Sequence, residues 1–414
     1  MLESWKTYTL SDFMNINPLV KLKAKGKYSF VEMKDLDANL KAVKPSDFKS
    51  LKGGAKFQNG DTLFARITPC LQNGKICQVK GLENNLGFGS TEFLVFRGKE
   101  CVSVTDFIYY LSRDPFVRAF AESNMIGTSG RQRVSKEAFQ NIKLELPPLP
   151  EQKAIASILS ALDDKIENNL AMNKTLEDMA MTLYKHWFAD FGPFADGEFV
   201  DSQLGIIPKG WEVKSVYSIA KFINGAAFKS KDFLEDRLSG LPVIKIVEIK
   251  QGITSQTKYS NKKLDPKYTI SNSDILFPWS GNPHTSLGIH LWDKGKALLN
   301  QHIFLVKVED EKYRPFVFNT LKNLLPTFIN LATHKQTTGL GHVTISNLKD
   351  LMTLFPNEEA LDLYNLEAKP ILDLVYSNQI EIQTLTQLRD TLLPKLICGE
   401  VRLKEFQETL ANVL

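Results

Sequence analysis

Apolar residues recur along two stretches of this chain with the spacing of a helix seam. From Glu151 onward, Ile155, Leu159, Leu162, Ile166, Asn169, Asn173, Leu176, Ala180, Leu183 and Trp187 step by four and three, the period that gathers one stripe onto the contact face of a coiled coil. Adding 209 to each position gives Tyr364, Ala368, Ile371, Val375, Asn378, Ile382, Leu385, Arg389, Leu392 and Leu396, a second seam nearly as apolar. Pro150 suits a first helical turn, whereas Pro370 and Pro394 predict a kink or frayed ends in the second helix. Neither stripe can be buried by its own helix, so the two are expected to pack together. If an internal two-fold relates them, the pair runs antiparallel, with a block at each end. A seam of roughly 33 residues spans about 50 Å. Asn169 and Asn378 are equivalent under the offset; each either restricts register at a cost in stability or sits at a wet seam edge.

The segments before each helix have another texture. Short apolar or alternating runs such as STEFLVF and LPVIKIVEI, broken by Gly, Asn and Pro, read as strands and turns, and helical patterns lie at DFIYYLSRDPFVRAFAES and FVFNTLKNLLPTFINLA. The texture repeats. Thr128, Gly130, Val134 and Pro147 recur 209 residues later as Thr337, Gly339, Val343 and Pro356, and Trp5 answers Trp211, FVEMK answers IVEIK and GDTLF answers SDILF at nearby offsets. The predicted fold class is α+β: two pseudo-repeated α+β blocks, residues 1–147 and 192–356, separated by two long helices, residues 148–191 and 357–414, packed as an antiparallel coiled coil.

Charge follows the same division. Lys and Arg outnumber Asp and Glu by 22 to 15 in residues 1–147 and by 20 to 15 in 192–356, while acidic residues lead by 7 to 4 in 148–191 and by 10 to 5 in 357–414. Cationic blocks suit a phosphate-facing surface, and acidic helices suit solvent or a protein partner. No apolar run is long enough for a membrane span, and Cys70, Cys77, Cys101 and Cys398 form no C-x-x-C pair, so a reducing cytoplasm is the expected location.

Catalytic signatures are thin. Only the imperfect DPF at Asp114 and NPH at Asn282 approach the loop with which adenine methyltransferases hold a flipped base. No G-x-x-x-x-G-K-S/T loop occurs. Glu32 with Lys34 and Glu248 with Lys250 give E-x-K twice at matching places, which reads as strand edge rather than a nuclease centre. The chain is expected to be non-catalytic, without cofactor or metal.

Over essentially its whole length the chain resembles the specificity subunits of type I restriction-modification systems. The likeness rests on LPPLPEQKAIASIL opening the first helix, MTLYKHWFADFGPF closing it, IPKGWEV opening the second block, TLLPKLICGEV closing the second helix, the stretch from Gly225 to Phe233, and the TSG and TTG turns. It implies that each block is a target-recognition domain reading half of a bipartite site in double-stranded DNA. It also implies that the helices form an antiparallel spacer docking two methyltransferase subunits that methylate adenine, and that restriction and translocase subunits join that core. Other readings are a stand-alone two-domain DNA-binding regulator and a coiled-coil scaffold between protein-binding blocks.

Base readout needs Arg for guanine and Asn or Gln for adenine, carried on loops. In the first block the candidates are Ser129, Arg131, Gln132 and Arg133 in a glycine-hinged turn, with Arg66, Asn73 and Lys75 from RITPCLQNGK; the arginines could instead pair with nearby carboxylates. In the second block they are Trp279, Ser280, Asn282, His284 and Thr285 in PWSGNPHTS, with Lys335, Gln336, Thr338 and His342 in HKQTTGLGH; Trp279 could equally be core. Trp187, Phe188 and Phe191 at the end of the first helix either anchor a methyltransferase partner or cap the chain's own helix-to-block junction.

Overall fold

The computed structural model describes residues 5–23, 26–334 and 340–402, the side chain of residue 238 apart. Two compact units divide the chain: one runs to Asn168 and resumes at Ile382, the other spans Asn169–Glu381. Both divisions fall inside the long helices, because each unit consists of a block and the helix halves packed on it.

In the first unit a five-stranded sheet runs Met14–Ile16, Phe93–Gly98, Thr62–Ala65, Ile76–Val79, Ala42–Val43. Its central strands TLFA and ICQV are buried on both faces, which is why they read as continuous apolar runs. A four-stranded sheet orders Asp47–Ser50, Lys27–Val31, Leu86–Gly89, Ala55–Gln58 around one parallel pair. Lys6–Thr9 pairs antiparallel with Lys143–Leu146 and joins the two ends of the block. The helices Thr105–Arg113 and Pro115–Ser123 meet at Asp114, whose Oδ1 accepts the N–H of Phe116 (2.9 Å) and Val117 (3.3 Å), with Pro115 at the first position.

The second unit repeats this plan, with four strands rather than five in the first sheet because the edge strand Ala42–Val43 has no counterpart there among the described residues. Lys221–Asn224, Ile303–Lys307, Ile275–Pro278 and His290–Leu291 form the first sheet, and Tyr259–Ser260, Leu241–Ile244, Ala297–Leu299 and Thr269–Ile270 the second, again around one parallel pair. Glu212–Ser215 with Met352–Phe355 answers the terminal pair of the first block. The hairpin Phe199–Ser202 with Gly205–Pro208 is an addition of the second unit.

One stretch departs from its expected form. LPVIKIVEI is a strand only over Leu241–Ile244; Ile246–Gln251 is a helix, begun by Lys245 N–H donating to Glu248 Oε2 at 3.0 Å and ended by Gly252 at φ 79°. Glu32 likewise follows its strand and opens the turn Met33–Asp35, its N–H donating to Asp35 Oδ2 at 2.6 Å and its carboxylate paired with Lys34 and Lys49. Neither E-x-K pair is a strand edge, and the two differ in place: Glu32 precedes its turn, whose free N–H is met by Asp35, whereas Glu248 is itself the carboxylate three residues on from Lys245.

The long helices are Leu149–Phe188 and Glu358–Ile397, and the second runs unbroken through Pro370 and Pro394 rather than being divided there. In each unit partner numbers fall as first-helix numbers rise, so the halves are antiparallel. In the first unit Ile155 and Leu159 share a core with Leu393 and Leu396, and Asp163 pairs with Arg389. In the second, Asn173 meets Val375 and Asn378, and Trp187 meets Tyr364. Every predicted seam position on either helix is buried or half-buried. The asparagines are inside the seam: Asn169 is fully buried and donates to Glu381 Oε2 at 2.7 Å, while Asn378 donates to Asn173 Oδ1 at 2.8 Å.

Candidate nucleic-acid interface

In the first block, two loops remote in sequence are stitched into one ledge. Val134 N–H donates to Arg66 O at 2.9 Å, Thr68 N–H to Gln132 O at 3.0 Å and Gln132 N–H to Thr68 Oγ1 at 3.1 Å, with Ile67 opposed to Arg133. A third loop, linking the two sheets, joins where Arg66 N–H donates to Glu92 O at 3.0 Å. The second block builds the same ledge. Val343 N–H donates to Trp279 O at 2.8 Å, Ser280–Gly281 pairs with Gly341–His342, and Trp279 N–H donates to His302 O at 3.2 Å. Trp279 thus stands where Arg66 does, His342 where Arg133 does, and His302 where Glu92 does.

The side chains on the two ledges differ. Glu92 grips Arg133 with both carboxylate oxygens, at 2.7 to 3.0 Å from Nε and Nη2, and Arg133 Nη1 reaches Arg131 O at 3.0 Å. A forked charged pair of this kind fixes geometry, and it ties the Arg133 guanidinium, still 41% exposed, to the ledge. Ser129 and Arg131 remain exposed, Gln132 is half-buried, and Arg66 is half-buried with an Nε that has no hydrogen-bond partner. Asn73 is exposed at the end of a turn. Lys75 is half-buried, and its Nζ donates to Met33 O at 2.8 Å.

On the second ledge Trp279 is both packed and presented. It stacks on Phe304 at 5.5 Å, lies 5.8 and 5.9 Å from the rings of His302 and His342, and donates Nε1–H to Asn224 Oδ1 at 3.0 Å. Ser280 is buried and its Oγ lies 2.9 Å from His342 Nδ1, so it supports that ring rather than facing DNA. Partial burial, and then His342 beside it, hold His302 below the usual histidine range. Asn282, His284 and Thr285 are exposed on the short turn Pro283–Ser286, but Asn282 Oδ1 is used to cap it, accepting from the N–H of His284 (3.1 Å) and Thr285 (3.2 Å). Lys335, Gln336 and Thr338 lie outside the described residues. Sequence reasoning missed Glu92 and Asn224, and did not place His302 on the ledge; the loop between the two sheets, at an offset of 210, is the signal that links Glu92 with His302.

The aromatic end of the first helix belongs to the chain's own core. Trp187 and Phe188 are 6% and 5% exposed among Trp211, Phe316 and Tyr364, and Phe191 packs edge-on against Trp211 and Phe199. Of the two roles open to this cluster, the burial of Trp187 and Phe188 fits the cap on the chain's own helix-to-block junction, while Phe191 is half-buried. Among the described residues no group of three or more His, Cys, Asp or Glu could hold a metal ion, and no helix is long and apolar enough to cross a membrane.

Comparison with known proteins accords with this doubled architecture. The family model of the type I restriction modification DNA specificity domain matches residues 2–178 and again 208–388. The specificity subunit of the type I restriction enzyme MjaIX from Methanocaldococcus jannaschii is 28% identical across 73% of this chain and 70% of that protein. The HindI specificity subunit from Haemophilus influenzae is 25% identical across 97% of this chain and 100% of that protein. The crystal structure of a type I restriction-modification S subunit from M. genitalium shares the fold, with a TM-score of 0.51 at 16% identity over 96% of each chain. With the family match covering most of its length and falling once on each repeat, the chain belongs to the type I restriction-modification specificity family and is a specificity subunit.

Proposed function

We propose that this specificity subunit reads a bipartite site in double-stranded DNA, one half-site per block, with the paired helices fixing the unread interval. The observation that carries the reading is the doubled ledge: one backbone construction, residues 66–68 with 132–134 and 279–281 with 341–343, bearing Arg, Gln and an Arg–Glu clasp in one case and Trp with two histidines in the other. Identical scaffolds with unlike side chains are what two different half-sites require. On the first ledge Arg66, Arg131 and Gln132 face the bases, with Ser129 and Asn73 beside them; on the second, Trp279, His342, His284 and Thr285 do so.

The chemistry comes from partners in this reading. Two methyltransferase subunits dock along the helices and methylate adenine within the site, and restriction and translocase subunits complete the assembly. Family membership disfavours a stand-alone regulator. The test is to express the chain with a candidate methyltransferase subunit and map methylated adenines across the host genome. A split motif with a fixed gap is expected; methylation at a contiguous motif, or none that depends on this chain, refutes the proposal. Four residues inserted after Ala171 and after Ile380 add about one turn to each helix, and the gap should widen while both half-sites keep their sequence. The half-sites are expected to lie about one duplex turn apart, about 34 Å or a little more.

A further inference from the structure

Beside the first ledge lies a cleft of about 570 Å³ to which no role has yet been given. Its floor is aromatic: Phe30 and Phe88 face each other across the parallel strand pair, 4.9 Å between ring centres, and Phe48, 47% exposed, stands on the neighbouring edge strand. Lysines rim it. Lys49 sits over the Phe30 ring at 4.1 Å and is paired with Glu32, whereas Lys27 and Lys52 are exposed and form no ion pair among the described residues. Gly53 and Gly54, at φ 114° and 99°, close one side; a Cβ on Gly54 would meet Gly89 O at 2.0 Å, so glycine there lets the loop lie flat on the sheet.

The cleft is continuous with the ledge. Thr91 and Gly54 line both this cleft and an adjoining one of about 410 Å³ that reaches Arg66, and the next residue, Glu92, is the one that clasps Arg133. At the matching positions of the second block the pair is different: where Phe30 pairs with Phe88, Val243 pairs with Leu298, both buried.

We infer that this cleft takes the sugar–phosphate backbone of duplex DNA flanking the first half-site, a contact without sequence content. Lysine ammonium groups act as point charges toward phosphate, and the apolar rings offer faces for deoxyribose. The lining carries no Arg, Asn or Gln, the side chains that read purine edges in pairs of hydrogen bonds, so the cleft positions rather than reads. The inference rests on the reading of the ledges as DNA-facing.

The test uses the full chain with Lys27→Ala and Lys52→Ala combined, and separately Phe48→Ala. Binding is measured against salt on duplexes carrying the motif mapped by methylation and on scrambled duplexes, or on random-sequence duplexes if no motif emerges. The double lysine variant should lose affinity several-fold and equally on both duplexes, with the salt slope reduced by about two and the methylated motif unchanged. Phe48→Ala should weaken both without changing the slope. An unchanged affinity and slope in the lysine variant overturns the cleft proposal, as does a loss confined to the matched duplex. Loss of a co-purifying acidic protein with DNA binding intact overturns it as well. Wild-type chain that neither prefers any duplex nor directs methylation refutes instead the underlying reading of the ledges.

Discussion

Arg389 Nη1 donates to Asp163 Oδ1 at 2.7 Å, and the two side chains are 4% and 2% exposed. Tyr110 OH donates to the other carboxylate oxygen at 2.7 Å, and Asp390 takes the far side of the guanidinium. The repeat puts Leu372 and Ala180 at the equivalent places, 209 residues away. One helix pair is therefore crossed by a buried ion pair where the other carries apolar side chains. Removing one member of a buried pair strands the other, so Asp163→Ala should cost about 3–5 kcal/mol. Asp163→Leu with Arg389→Ala, which copies the residues found 209 positions away, should recover most of that loss in chemical denaturation. A double variant no more stable than the single one would show that the charge is not what the single change exposed.

Arg131 is exposed while Arg133 is clasped, so the two arginines should separate in function. Arg131→Ala is expected to relax one position of the first half-site at about 1–3 kcal/mol and leave the second half-site intact. Glu92→Ala should loosen the ledge and weaken the whole first half-site. Methylome sequencing of each variant distinguishes these patterns; equal weakening on every sequence by Arg131→Ala would assign that residue to phosphate.

Trp279→Ala removes a ring that touches His302, His342 and Phe304. It should abolish recognition of the second half-site, with the first half of any residual motif unaltered. Ser280→Ala, which takes away only the partner of His342 Nδ1, should give a smaller loss in the same half. A loss in the first half from either change contradicts the assignment of one half-site per block.

Burial, and then Lys322, Lys250 and Lys294 nearby, push His290 down to about 4. The unfolded chain takes up this proton first, so stability should be fully present above the ordinary histidine range and decline as pH falls from about 6.5 toward 4. His290→Leu should flatten that part of the stability–pH curve in thermal melts. An unaltered slope would mean that other groups carry it.

Much of the architecture is legible in the sequence because a helix seam is a regular signal: the stripes from Ile155 and from Tyr364 emerge with every position buried or half-buried. The ledge is less legible. The offset between repeats drifts from 206 at Trp5 and Trp211 to 213 at Gly60 and Ser273 before returning to 209 at Val134 and Val343, so the match of Arg66 to Trp279 disappears under a single register. Arg389 stands out as a charge in a stripe, but its partner Asp163 lies one residue off the stripe, where periodicity does not look. Trp187 and Phe188 could not be assigned from sequence, since an aromatic cluster at a helix end has the same composition whether it meets a partner or Tyr364.

The clasp on one ledge and the rings on the other differ in the hydrogen-bonding groups they offer. A guanidinium held by a carboxylate keeps its charge throughout the range in which cells live, so the pattern offered by the first block is constant. A neutral imidazole carries one donor and one acceptor and can exchange them between its two nitrogens, so the second ledge can present either arrangement. One molecule thus joins a fixed set of donors on one ledge to an exchangeable set on the other.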